Sequence, residues 1–449
     1  MSKYFGTDGI RGKNEKFSED FVNNLGNAFA KYLYDKTKKP KIVIGGDTRE
    51  STKLIKEILN KNLLNNGIDI IDVGIIPTPA ISFLTSYFRA DSSIMITASH
   101  NPPTDNGIKI LNENGEKMDD FSIDEIETYM DIEAVVNNEC KGFLYESIDK
   151  AQGAYIDHLI KTIPCSLKGL SIGLDCANGA TSSVAKTLFE KKGADITMIN
   201  NDGNYGTKIN NKCGSTYLDK IRDLVLKNKL DFGAAFDGDG DRCLFIDNEG
   251  NEVDGDETVA IISNYLKNKG ELVSNKVVST VMANQGLINY AKKNDIELIA
   301  TSVGDSFVYA EMKKQNIEIG GEQSGHIIMP NQKTGDGLLT SLFLASIMKE
   351  KNKKLSELSK VMTKSPQIIV NIGADTLDKE NFKIDKEIKK ILKEYDTKIK
   401  KEQGRILVRP SGTESLIRVT IWGNDKNTIE NISNEISKTI KERLNCLRK

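Results

Sequence analysis

Three stretches of this chain repeat one pattern, an apolar run that closes on an aspartate. They are residues 42–47 (I-V-I-G-G-D), 170–175 (L-S-I-G-L-D) and 232–237 (F-G-A-A-F-D). Continuous apolar runs mark strands buried on both faces, whereas half-exposed strands alternate. The first two lead through polar turns into helix-like segments at 51–66 and 182–192. A further strand-like run at 276–281 precedes a helix-like 285–293. Strands alternating with helices predict α/β units built on parallel sheets. A chain of 449 residues exceeds a single core and should divide into several such units.

The last eighty or so residues read differently. Strand-like runs at 368–372, 405–408 and 416–422 flank one helix-like stretch, 380–395, and isoleucines at 429, 432, 436 and 440 form a final helical stripe. The order βαββα predicts a small antiparallel α+β domain. We place the domain boundaries at 1–150, 151–252, 253–365 and 366–449.

Lys plus Arg total 62 against 64 for Asp plus Glu, a formal net charge of -2. No global field draws this chain to nucleic acid or to an anionic membrane. The six cysteines, at 140, 165, 176, 213, 243 and 446, show no C-x-x-C pair and no zinc spacing, and read as free thiols of a reducing cytosol. The opening M-S-K-Y-F-G-T-D-G-I-R-G lacks the apolar core of a signal peptide. No run reaches the length that spans a bilayer. The expected location is cytoplasmic.

Two stretches carry the chemistry. Residues 97–102, T-A-S-H-N-P, follow the apolar run 94–96. A strand there lifts Ser99 and His100 out of the sheet, where open α/β sheets place their sites, and Asn101 and Pro102 force a turn. Residues 237–242, D-G-D-G-D-R, alternate three carboxylates with glycine. Asp237, Asp239 and Asp241 so close together repel and call for a cation, and hard oxygen ligands select magnesium, or calcium in a roomy site. An EF-hand loop also begins D-x-D-x-D, but Arg242 and Asn248 stand where it needs glycine and glutamate. Magnesium in such a site usually takes a phosphate oxygen as well, and Arg242 is placed to hold that phosphate. Ser99 is the candidate to carry it.

Two further loops fit a phosphosugar. G-G-E-Q-S-G-H at 320–326 offers Glu322 and Ser324 for sugar hydroxyls, with His326 beside them; a plain structural turn reads equally well there. R-P-S-G-T-E at 409–414 between two strands forms an anion cradle of Arg409, Ser411, Gly412 and Thr413, with Arg418 adding a second guanidinium. Lys109, on the strand-like 107–111, follows Ser99 closely enough to return to the same site. His158 lies in an amphipathic helix and reads as structural.

In this order the motifs resemble the α-D-phosphohexomutase superfamily over essentially the whole chain. The opening K-Y-F-G-T-D-G-I-R-G and the glutamine form G-G-E-Q-S-G-H are most similar to its bacterial phosphoglucosamine mutase family. The resemblance implies an α/β fold of three related mixed-sheet α/β domains in series plus a smaller C-terminal α+β domain, with the active site in the central cleft. It implies an isomerase acting on glucosamine 6-phosphate and glucosamine 1-phosphate for UDP-N-acetylglucosamine and peptidoglycan precursors. Ser99 is then a phosphoserine, and one Mg2+ sits on Asp237, Asp239, Asp241 and a phosphoserine oxygen. Glucosamine 1,6-bisphosphate is the intermediate. Arg11, His100 and Lys109 lie about the phosphoserine, and Lys109 and His326 are both proton-transfer candidates.

By the same resemblance Arg242, Gly304, Glu322, Ser324, Arg409, Ser411, Gly412, Thr413 and Arg418 bind the phosphosugar, and a homodimer stays open. Two positions depart from the family pattern: Ser306 stands where V-G-D-R-Y-V has arginine, and Ser415 where proline usually follows the phosphate loop. A phosphomannomutase or phosphoglucomutase, a magnesium-dependent sugar phosphatase and a non-catalytic regulatory protein on the same scaffold remain alternatives.

Overall fold

A computed structural model of the chain describes residues 3–136, 140–401, 404–411 and 415–448. The chain divides into two compact units, residues 1–280 with 299–360 and residues 281–298 with 361–449.

The larger unit begins with a six-stranded sheet of β1 (Ile10–Lys13), β2 (Lys41–Gly46), β3 (Asp69–Ile75), β4 (Ser92–Ile96), β5 (Asp105–Asn112) and β6 (Leu144–Glu146), in the order β1-β5-β4-β2-β3-β6. The strands β4, β2, β3 and β6 run parallel, whereas β5 lies antiparallel to β4 and β1 antiparallel to β5. The sheet is therefore mixed, where its apolar runs alone predict a parallel one. A connection as short as that between β4 and β5 can close only an antiparallel return, since a parallel crossover needs a dozen or more residues. Helices Glu19–Lys36 and Glu50–Asn65 pack their apolar stripes, among them Val22, Leu25, Phe29, Ile55 and Leu59, onto Ile42, Ile44, Ile94 and Ile96. Burial of such side chains contributes about 1.5–3 kcal/mol each.

A second sheet repeats this plan with β7 (Ser171–Asp175), β8 (Asp195–Ile199), β9 (Phe232–Phe236), β10 (Cys243–Asp247) and β11 (Glu252–Val253), in the order β11-β10-β9-β7-β8. Again β9, β7 and β8 are parallel and β10 returns antiparallel to β9. Two of the three aspartate-closed runs, β7 and β9, thus lie side by side in one sheet, so the runs do not mark one repeat each. In the third sheet β12 (Lys276–Thr280) is parallel to β14 (Gly320–Gly321), and β15 (Ile327–Ile328) returns antiparallel. Between them in the chain, β13 (Glu297–Thr301) straddles the division of the units.

One consequence positions the chemistry. The Ser99 loop, the aspartate loop and the G-G-E-Q-S-G-H loop all sit at the same topological place, between a central parallel strand and its antiparallel return. That is the carboxyl end of the parallel strands, where α/β sheets put their ligands. His158 is structural as expected: its ring stacks on Phe83 at 4.3 Å between centroids.

The smaller unit carries a three-stranded antiparallel sheet of β16 (Gln367–Gly373), β17 (Arg405–Pro410) and β18 (Leu416–Trp422), with β18 in the middle. Ile429, Ile432, Ile436 and Ile440 of helix Lys426–Leu447 pack on Ile417, Val419 and Ile421, as their spacing predicts. The single helix expected at 380–395 is instead two, Thr376–Ile384 and Lys386–Lys401. Asp385 breaks it: its backbone is extended, and its Oδ1 accepts the Ile388 N–H at 2.8 Å, so it caps the second helix while pairing with Arg443. Among the described residues, no helix is long and apolar enough to cross a membrane.

Candidate active site

Ser99 leaves β4 in the left-handed region, with φ +52°, and is 1% exposed. Its Oγ donates to Asp237 Oδ2 at 2.8 Å and lies 3.4 Å from His100 Nδ1. Gly238 makes this approach possible, because a Cβ there would stand 2.6 Å from the Ser99 carbonyl oxygen. Asp237, Asp239 and Asp241 are all buried, and one carboxylate oxygen from each lies within 4.8 Å of the others.

The triad is surrounded by positive charge. The β5 return brings Lys109 back opposite Met95, and its Nζ sits 2.8 Å from Asp239 Oδ2, 3.4 Å from Asp241 Oδ2 and 3.2 Å from Asp8 Oδ2. Burial works against the charge on Lys109, but Asp239, Asp8 and Asp241 outweigh it and raise its pKa well above the usual lysine value. Burial and the neighbouring Asp241 and Asp239 push the Asp237 carboxyl up well above the ordinary range. Asp241 moves the other way: burial opposes its charge, but Lys109, His326 and Arg242 hold its pKa well below. Repulsion among three buried carboxylates adds to the burial that raises Asp237, and a divalent cation would relieve it.

The fit to a cation is good on the donor chemistry, three carboxylates and a serine hydroxyl, all hard oxygen. Asp239 Oδ1 is buried with no hydrogen-bond partner, which leaves it open to a metal. The other oxygen of that carboxylate accepts from Thr78 Oγ1 at 2.6 Å, which fixes the group's orientation.

His100 is held neutral, its pKa lowered to about 3 by Arg242, by burial and by Arg11. That removes it as a charged acid. His326 is fully enclosed, with Nδ1 3.6 Å from Asp241 Oδ1 and Nε2 3.7 Å from Asp305 Oδ2. Burial opposes its charge, while Asp241, Asp305 and Glu322 favour it and push the ring up to about 9. The Gly335 N–H nevertheless donates to Nε2 at 2.8 Å and needs a lone pair there. The hydrogen-bonded ring therefore keeps one proton, on Nδ1 toward Asp241.

Arg242 pairs with His326 in an antiparallel bridge that seats the G-G-E-Q-S-G-H loop against the aspartate loop. Gly325, at φ +90°, allows it: a Cβ there would lie 2.3 Å from the Cys243 carbonyl oxygen. The Gly304 N–H donates to Glu322 Oε1 at 3.3 Å, so two residues expected to bind substrate meet. Ser324 stands on the same loop, partly exposed. Arg11 pairs with Asp8.

Arg409, Ser411 and Arg418 belong to the smaller unit, where Arg409 and Arg418 stand directly opposite on neighbouring strands. Gly412 and Thr413 lie outside the described residues. Sequence reasoning missed Asp8, Thr78, Lys117 and Asp305. Lys117 bridges Asp8 and Asp305, joining the first and third sheets' loops. Asp8 was visible in the opening F-G-T-D-G-I-R-G; Thr78 and Lys117 lie in no motif.

Comparison with known proteins places this geometry. Four domain families match in chain order: Phosphoglucomutase/phosphomannomutase alpha/beta/alpha domain I over residues 2–135, domain II over 153–250, domain III over 254–365 and the C-terminal domain over 345–439. A phosphoglucosamine mutase of Clostridium novyi is 42% identical, covering 99% of this chain and 100% of the relative. The chain belongs to the phosphoglucosamine mutase family. Another member, from Acetivibrio thermocellus, is 41% identical over the same share of both chains. Among solved structures, a phosphoglucomutase/phosphomannomutase family protein from Burkholderia thailandensis superimposes with a TM-score of 0.81 at 21% identity, covering 98% of each chain. The Aspergillus fumigatus N-acetylphosphoglucosamine mutase, solved with GlcNAc-6P and magnesium, gives a TM-score of 0.65 at 17% identity, covering 91% of this chain and 85% of that one. These two likenesses show a shared fold, and the four domain matches show three α/β domains and a C-terminal fourth.

Proposed function

We propose that the protein interconverts glucosamine 6-phosphate and glucosamine 1-phosphate, with Ser99 as the phosphoryl carrier and glucosamine 1,6-bisphosphate as the intermediate. The observation that carries this reading is the Ser99 hydroxyl hydrogen-bonded to a buried carboxylate triad. Membership of the phosphoglucosamine mutase family supplies the sugar.

In the forward half, the Ser99 Oγ–P bond breaks as a new P–O bond forms to the C1 hydroxyl of the 6-phosphate. The hydroxyl's proton leaves and Ser99 Oγ regains one. After the bisphosphate turns over, its other phosphoryl returns to Ser99 by the reverse step. Asp237, Asp239 and Asp241 would hold Mg2+, which supplies charge neutralisation at the transferring phosphoryl group. Lys109 brings positive charge to the same place. Lys109 and His326 stay the two proton-transfer candidates, and the Gly335 hydrogen bond reserves the Nδ1 proton of His326 for the Asp241 side.

Glu322 and Ser324 hold sugar hydroxyls. Arg409, Ser411, Gly412, Thr413 and Arg418 hold the distal phosphate. Arg409 and Arg418 stand opposite each other on the strands that flank the R-P-S-G-T-E loop, which supports that role. The division at 150, 252 and 365 and a cytoplasmic location complete the reading; all six cysteines are free thiols.

The test compares kcat/KM for the 6-phosphates of glucosamine, glucose and mannose with Mg2+ present. Glucosamine phosphate is expected to lead by at least the ten- to hundredfold or so that one hydrogen bond to a charged amine confers. Equal values for glucose or mannose phosphate would replace this assignment with a phosphoglucomutase or phosphomannomutase.

A further inference from the structure

The backbone that presents Ser99 is held by two side chains outside the sequence motifs, Arg49 and Asn210. Residues 99–105 bulge out of the sheet, so several of their carbonyls have no ladder partner. Arg49, which follows β2, sends its guanidinium into this bulge and is completely buried. Its Nη2 donates to the Ser99 carbonyl at 3.0 Å and the Asn101 carbonyl at 2.8 Å. Its Nη1 donates to the Asp105 carbonyl at 2.9 Å and to the Pro102 carbonyl. Nε completes the set on Asp47 Oδ2 at 2.9 Å. All five N–H groups of the guanidinium are therefore used.

The Asp47 carboxylate continues the arrangement. It accepts Thr97 Oγ1 at 2.7 Å, and Thr97 Oγ1 in turn accepts the Ser99 N–H at 2.9 Å. From the second sheet's side, Asn210 Nδ2 donates to the same Ser99 and Asn101 carbonyls, at 2.8 and 3.0 Å. The loop that carries Asn210 is tied down beside Arg49 by a parallel bridge between Arg49 and Gly206. Ser99 thus sits in a backbone conformation that serine rarely adopts, held by donors from two domains.

We infer that Arg49 and Asn210 are positioning residues for phosphoryl transfer, clamping the carbonyls of the Ser99 loop so that Oγ stays on the aspartate triad. A guanidinium with every donor spent inside the protein has none left for a phosphate, so Arg49 acts on the loop and not on the sugar phosphate. Lysine cannot replace it, since one ammonium lacks the planar fork that reaches four carbonyls and a carboxylate. The inference rests on Ser99 being the phosphoryl carrier.

The experiment uses the full-length protein with Mg2+ and glucosamine 6-phosphate, comparing Arg49→Lys, Asn210→Gly and Ser99→Ala with the parent. Asn210 has φ +55°, which glycine adopts freely, so Asn210→Gly removes the two donors while sparing the fold should Arg49→Lys not survive. In Asn210→Gly, kcat is expected to fall on the order of ten- to hundredfold, the scale on which a displacement of about 1 Å slows an oriented reaction. KM should stay within about twofold, because the residues that hold the sugar and its distal phosphate are untouched. A general loosening of the fold would instead move Tm and KM together. A folded Asn210→Gly variant with the parent's kcat overturns the clamp. An inactive Ser99→Ala beside a fully active Asn210→Gly overturns the clamp alone, whereas turnover in Ser99→Ala overturns the carrier role and the clamp with it.

Discussion

At the scale of single residues, the site is a balance of buried charges. Lys109 serves three carboxylates, Asp8, Asp239 and Asp241, at ion-pair distance. Replacing it with methionine keeps the bulk but removes the ion pair of buried Asp239, while Asp8 keeps Arg11 and Lys117 and Asp241 keeps His326. That should cost the metal-free protein up to about 3–5 kcal/mol. Urea melts with and without MgCl2 measure this, and Mg2+ should return part of the loss by supplying the missing positive charge. Unchanged metal-free stability in Lys109→Met would show that the triad does not depend on it. The carboxylates and Ser99 were legible in the sequence because each motif is contiguous and its residue types have few other uses. Thr78, Lys117, Arg49 and Asn210 were not, since each is an ordinary residue that only the folding of distant segments brings to the site.

At the scale of elements, the loops owe their places to short antiparallel returns, and a buried helix cap holds one of them. Asp336 caps helix Gly337–Lys351: its Oδ1 accepts the Leu339 N–H at 2.9 Å and its Oδ2 accepts the Tyr155 hydroxyl at 2.8 Å. Burial pushes its pKa up to about 6, against the pull of these hydrogen bonds. A carboxyl raised in the fold is most stabilising while protonated, so its contribution is full below the ordinary value of 3.8 and is lost as pH rises through about 6. Asp336→Asn keeps a good cap but cannot ionise. Its stability should not fall across that window, leaving it more stable than the parent at pH 7 by up to about 3 kcal/mol. Chemical denaturation between pH 4 and 7 or so checks this; parallel curves for the two proteins would contradict it. Strands with apolar runs and the isoleucine stripe of the last helix were legible from periodicity. The break at Asp385 was not, because the residues on both sides of it are good helix formers and only the cap and Arg443 decide it.

At the scale of the whole molecule, one sheet plan recurs and gives each recurrence a motif-bearing loop at the same position. The α/β class and the terminal α+β domain were legible in the order of runs and stripes. The recurrence was legible through the family resemblance and not through periodicity, since the strands flanking the G-G-E-Q-S-G-H loop are pairs of residues, Gly320–Gly321 and Ile327–Ile328. The central claim is that Ser99 carries the phosphoryl group that the other loops serve. Mass spectrometry of the intact protein and of its Ser99 peptide, before and after glucosamine 1,6-bisphosphate with Mg2+, addresses it directly. The account predicts one phosphoryl group per chain, located on Ser99 and discharged on adding excess glucosamine 6-phosphate. Isomerisation of the sugar phosphate by a protein whose Ser99 is never phosphorylated would contradict it.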